Sequence, residues 1–237
     1  MYDHLHIEDL HNALGNKREI SFNDLFFFYR GYSPNIPVPT VKQRIHSLIE
    51  KGLIHKTGYG RYRFGGKPTF LPNVYTETQK IARLMDHRFP YVDYCQWDLA
   101  VANIFSQHLL NIQLLFVDVE RDATESVYRE IRDRYHNTVL YRNLSEELPY
   151  YDGCIVVRNI VSDAPIVDVD GLPMASIEKI LVDFAIDRLF PFHNHELYSI
   201  YENALSSYAV NINRLLRYAG RRGRRDTIED ILNEIDY

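Results

Sequence analysis

"LIHKTGYGRYRFG", residues 53–65, sets two runs of alternating character on either side of a glycine-containing turn. From Tyr59 to Phe64 the period is two, so Gly60, Tyr62 and Phe64 fall on one face of a strand and Tyr59, Arg61 and Arg63 on the other. Leu53–Lys56 and Arg61–Phe64 are therefore predicted to be the two strands of a hairpin, turning over Thr57–Gly60. One face of that hairpin is basic, and what it touches is the first functional question.

Upstream, Gly52 supplies a helix stop for a segment running from about Thr40 to Lys51. Val41, Ile45, Leu48 and Ile49 share one side of this helix, and Gln43, His46, Ser47 and Glu50 share the other. The preceding "SPNIPVP" holds three prolines and is expected to be extended. Before it, Ser21 is a suitable N-cap for a helix that places Phe22, Leu25, Phe26 and Tyr29 on one side and ends at Gly31. A first helix over residues 6–15 carries Ile7, Leu10 and Leu14 and stops at Gly15-Asn16. Three helices followed by a hairpin is the order of a winged helix-turn-helix, whose third helix enters the DNA major groove while the hairpin follows the backbone.

On that reading Gln43 and Arg44 face base edges, Thr40 and Lys42 meet the backbone near the helix N-terminus, and Ser47 shares the polar face. Lys56, Tyr59, Arg61 and Arg63 form the wing. Net charge of −5 argues against simple polyanion binding, yet Thr40–Lys67 holds seven Lys or Arg against the single acid Glu50. A second island, "RLLRYAGRRGRRD", adds Arg214, Arg217, Arg221, Arg222, Arg224 and Arg225. Arg214, Arg217 and Arg221 share a helix face suited to phosphates or to a partner's carboxylates; pairing with the chain's own acids, such as Glu229, Asp230 and Glu234, is the competing reading.

The remainder is expected to be a separate domain. "GGKPTFLPN" has linker composition, which divides the chain into a winged-helix domain over 1–66, a linker over 67–74 and an α+β domain over 75–237. In that domain "TETQKIARLMDHRF", "WDLAVANIF" and "ATESVYREIRDRYH" read as helices. "YVDYCQ", "IQLLFVDVE", "TVLYR", "GCIVVRNIV" and "PIVDVDG" read as strands, and a helical tail follows from Ser176. The fold class is α+β, an N-terminal winged helix-turn-helix domain followed by a larger mixed α/β domain.

Catalytic patterns are sparse. Asp118 and Glu120 in "VDVE" have the spacing of a metal-dependent nuclease or nucleotidyltransferase pair. "NIFSQHLLN" upstream holds no glycine to cradle a triphosphate, and Arg121 stands where a nuclease wants a lysine. "FHNHE" offers His193, His195 and Glu196, but histidines two apart on a helix diverge; His4, His6 and His11 have no cysteine partners. No metal, no cofactor and no enzymatic activity are expected. Two cysteines, Cys95 and Cys154, and apolar runs too short to span a bilayer predict a reduced, cytoplasmic protein away from membranes.

Two segments carry a family resemblance. "RIHSLIEKGLIHKTGYGRYRF" (residues 44–64) and "GLPMASIEKILVDFAID" (171–187) are similar to parts of the AbiEi-type antitoxins of bacterial type IV toxin-antitoxin systems. "QWDLAVANIFSQHLLNIQLLFVDVERD" departs from the pattern and marks a divergent branch. The resemblance implies a transcriptional autorepressor on its own promoter region that counteracts a nucleotidyltransferase-type toxin from a neighbouring gene, a role in phage resistance. A metal-dependent nuclease targeted by a winged helix, and a non-catalytic scaffold, remain the alternatives.

Overall fold

The computed structural model describes residues 3–106, 109–144, 148–187, 189–190, 192 and 194–235, and is α+β with ten α-helices and two sheets among them. The chain divides into two units. One comprises the residues up to Thr69 with Ala204–Ala209; the other comprises Phe70–Asn203 and the residues from Val210 onward.

The first unit runs α1 (Ile7–Leu14), β1 (Ile20–Ser21), α2 (Phe22–Tyr32), α3 (Val38–Glu50), β2 (Ile54–Gly58) and β3 (Arg61–Phe64). Ser21 opens α2 through a capping box: its hydroxyl accepts from the Asp24 N–H at 3.1 Å, while Asp24 accepts from the Ser21 N–H at 2.8 Å. Lys17, 2.7 Å away, and then Ser21 hold the Asp24 carboxyl down at about 2. Helix α3 begins two residues earlier than the prolines suggest, with Pro37 as its N-cap and Pro39 in its first turn. First-turn N–H groups have no intrahelical acceptor, so a proline there forfeits nothing. At its far end Gly52, with φ of 66°, donates to the Ile49 carbonyl and Leu53 donates to that of Leu48, a Schellman closure.

The three strands form an antiparallel sheet in the order β1-β3-β2. Two-residue β1 is too short to leave a periodic signal, and the sequence reading missed it. Tyr62 packs into the core with Leu25, Val41, Ile45 and Leu48, while Arg61 and Arg63 face out.

The second unit is built on a six-stranded mixed sheet. Its elements are α4 (Thr76–Arg88), β4 (Tyr94–Asp98), α5 (Ala102–Phe105), β5 (Leu114–Val119), α6 (Thr124–Arg134), β6 (Thr138–Leu140), β7 (Cys154–Asn159), β8 (Ile166–Val169), β9 (Leu172–Ala175), α7 (Ile177–Ile186), α8 (Asn194–Ser207), α9 (Ile212–Arg221) and α10 (Arg225–Glu234). The last turn of α8 groups with the first unit. Strand order is β6-β7-β5-β4-β9-β8, with β6, β7 and β5 mutually parallel.

Trp97, expected on a helix, lies in β4, stacked on Phe116 at 4.4 Å; only Ala102–Phe105 of that segment is α-helical. β9 was also unforeseen. Asp170 and Gly171, both at positive φ, turn β8 back into β9, as a type I′ hairpin requires. Alternation along β5 sends Leu115, Val117 and Val119 towards Ile81, Met85, Val127 and Ile131 of α4 and α6. Its other side chains, Phe116 and Asp118, face α7.

Candidate functional site

In the first unit the predicted DNA-facing residues do not all stand alike. Lys42 and Gln43 are exposed on α3, and Thr40 and Ser47 are half-buried. Arg44 is folded back: its guanidinium lies 4.8 Å from the centre of the Tyr29 ring and one of its nitrogens is buried without a partner, which removes it from the row of outward donors. On the hairpin, Lys56 and Arg63 are exposed and make no ion pair among the described residues, while Arg61 is held by Glu19 at 2.7 Å. Glu19 also accepts from the Thr57 hydroxyl at 3.0 Å, and these two bonds hold its carboxyl below the usual range. Lys42, Lys56 and the fully exposed Tyr59 converge on a concave surface of about 480 Å³ floored by Phe22, Ile45 and Tyr62. Gln43 lies beside this surface rather than in its lining.

Four of the six C-terminal arginines serve the chain itself. Arg214 reaches Glu178 at 2.7 Å, Arg221 reaches Asp163 at 2.6 Å, Arg222 reaches Asp183 at 3.0 Å and Arg225 reaches Glu229 at 2.7 Å. Only Glu229 had been anticipated as a partner. Arg217 and Arg224 remain exposed without an ion pair among the described residues, so the expected three-arginine face is reduced to isolated charges.

What the sequence reading missed is a buried charge network under α7. Asp118 and Arg158 stand side by side in the β5–β7 register and form a two-pronged pair. Arg158 continues to Asp183 at 2.5 Å and Asp187 at 2.9 Å; Lys179 bridges Asp118 at 2.5 Å and Asp183 at 2.8 Å. Arg222 and the Tyr218 hydroxyl complete Asp183, and the Tyr141 hydroxyl donates to Asp187 at 2.6 Å. Three carboxylates thus meet three cations, and the Trp97 and Phe116 rings lie against the Arg158 guanidinium. Burial opposes ionisation of Asp118 and Asp183, but the charges of Arg158 and Lys179 override it and hold both carboxyls low. Burial likewise works against the Lys179 ammonium, yet Asp118 and Asp183 keep it protonated.

This arrangement bears on the nuclease pair. Asp118 is neutralised by its neighbours, and Glu120 lies past the end of β5. Cys95, its thiol 3.8 Å from Asp118, is pushed up by burial, which disfavours the thiolate. His6 stacks on Tyr32 and His11 packs edge-on to Phe64. Glu196 accepts from the Ser106 hydroxyl, and His193 lies outside the described residues. Among the described residues no group of three or more His, Cys, Asp or Glu is placed to hold a metal ion, and no helix is long and apolar enough to cross a membrane.

No curated protein matches the sequence. Residues 40–237 match the family described as "Family of unknown function (DUF6577)", from the first turn of α3 through the hairpin and the whole of the second unit. A match over most of the 237 residues settles membership: the chain belongs to DUF6577, a family of unknown function.

Proposed function

We propose that the protein is a DNA-binding transcriptional autorepressor whose first unit is a winged helix-turn-helix, and that it acts in the cytoplasm as the antitoxin of a nucleotidyltransferase-type toxin, without turnover of its own. The observation that carries the DNA half is the convergence of Lys42 from α3 with Lys56 and Tyr59 from the hairpin on one concave face, with exposed Gln43 next to Lys42 on α3. The antitoxin half is supported by the resemblance of residues 44–64 and 171–187 to AbiEi-type antitoxins.

Anisotropy titrations of the full chain on the duplex upstream of its own coding sequence test the first half. Lys42→Ala and Lys56→Ala each weaken binding to every duplex and reduce the log–log salt slope by about one. Gln43→Ala costs about 1–3 kcal/mol on the specific duplex alone. Unchanged salt slopes in both lysine variants would remove α3 and the hairpin from the DNA interface. Rescue of growth from a neighbouring nucleotidyltransferase tests the second half separately, and failure to rescue ends only that half.

A further inference from the structure

At the carboxyl ends of the parallel strands β5, β6 and β7 lies a crevice of about 570 Å³, inside the roughly 300–1,000 Å³ range of small-molecule sites. This is the edge of an open α/β sheet at which ligands are generally received, because the loops after parallel strands all emerge there. Its lining is rich in arginine. Arg121, Arg142, Arg158 and Arg222 line it against Glu125 and Asp187 only.

The four guanidiniums are not equivalent. Arg158 and Arg222 are tied to the buried carboxylates Asp118, Asp183 and Asp187 and form a fixed, charge-balanced floor. Arg121 and Arg142 stand exposed; Arg121 makes no ion pair among the described residues, and Arg142 is held only by the half-exposed Glu125. Exposed pairs of that kind are worth little and exchange readily for a better anion. Asn159, at the end of β7 and within 2.8 Å of the Thr124 hydroxyl, adds an exposed neutral amide to the lining. The remaining wall is apolar and aromatic, made by Leu140, Val161 and the ring of Tyr141.

We infer that this crevice binds a phosphate-bearing ligand with a planar base, of the chemistry and size of a nucleoside monophosphate, its phosphate between Arg121 and Arg142 and its base against Tyr141 and Val161. Two exposed planar forks, one of them free of any ion pair among the described residues, above a rigid floor match a phosphate. An apolar wall beside them matches an aromatic ring, and the site is independent of DNA binding by the first unit.

Calorimetric titration of the full chain with AMP, GMP, CMP and UMP, with the parent nucleosides and with inorganic phosphate tests this. At least one monophosphate binds with Kd below about 1 mM, and at least about tenfold more tightly than its nucleoside or inorganic phosphate. Arg121→Ala and Arg142→Ala each weaken it about tenfold, the loss expected for one charge-assisted contact. Val161→Trp, which fills the crevice and leaves every charge in place, abolishes it. Both arginines are exposed, and thermal unfolding of the variants verifies that the fold is kept. Saturating duplex DNA leaves the titration unchanged. Absence of binding by all four monophosphates, inorganic phosphate binding as tightly as they do, wild-type affinity in the variants, or displacement by DNA would each overturn the assignment.

Discussion

At Lys179 an ammonium is sealed from water between two carboxylates, and that position separates ion pairs that hold the fold from those that decorate it. Lys179→Met leaves Asp118 and Asp183 buried with one cation fewer and costs about 3–5 kcal/mol. Lys80→Met, which breaks the exposed pair with Glu77, costs less than about 1 kcal/mol. Guanidinium unfolding followed by Trp97 emission reads both, and a Lys179→Met variant within 1 kcal/mol of wild type would dismiss the network as a source of stability. Little of this was legible in the sequence. Lys179 and Asp183 have the i, i+4 spacing of an ordinary surface pair, and Glu178 beside them reads as another solvated charge. What buries them is the placement of Arg158 opposite Asp118, which depends on β7 pairing with β5, and no local periodicity encodes which strands are neighbours. The outward arginines fared better, because alternation fixes the face of a strand; that Glu19 would hold Arg61 required knowing that β1 lies against β3.

Elements with punctuation were readable and those without it were not. Ser21 and Gly52 bound α2 and α3 through capping geometry that their residue types announce, whereas β1 is too short for a period and β9, Leu172-Pro173-Met174-Ala175, carries a proline and no polar alternation. The same physics sets the sign of two otherwise identical substitutions. Gly52→Ala has open space around the new methyl but must hold φ at 66°, so it destabilises the chain by about 1–2 kcal/mol. Gly31→Ala, also into open space but within α2 and at ordinary helical φ, stabilises by about 0.5 kcal/mol. Thermal melts of the two variants that move in the same direction would contradict the backbone argument.

For the whole molecule the network makes stability depend on pH, and the sign follows from the protons bound. Asp118 and Asp183 are held below the ordinary carboxylate value of about 3.9, so at low pH the unfolded chain binds protons that the folded chain refuses. Their contribution is complete above the unfolded value and is lost progressively as pH falls below it towards the depressed folded values. Unfolding free energies from Trp97 emission, flat through the range near pH 6, should drop steeply below about pH 4; a level profile down to pH 3 would mean that these carboxylates are not paired in solution. The network also orders assembly in time. Its charged members come from β5, β7, α7 and the residues that cap α7 and α9, with Asp118 separated from Lys179 by 61 residues. A carboxylate gains nothing by leaving water before its cations exist, so during synthesis Asp118 stays hydrated until Arg158 and Lys179 have been made, and Asp183 waits for Arg222. The strand at the centre of the sheet is among the first parts of this unit to be synthesised and among the last that can close.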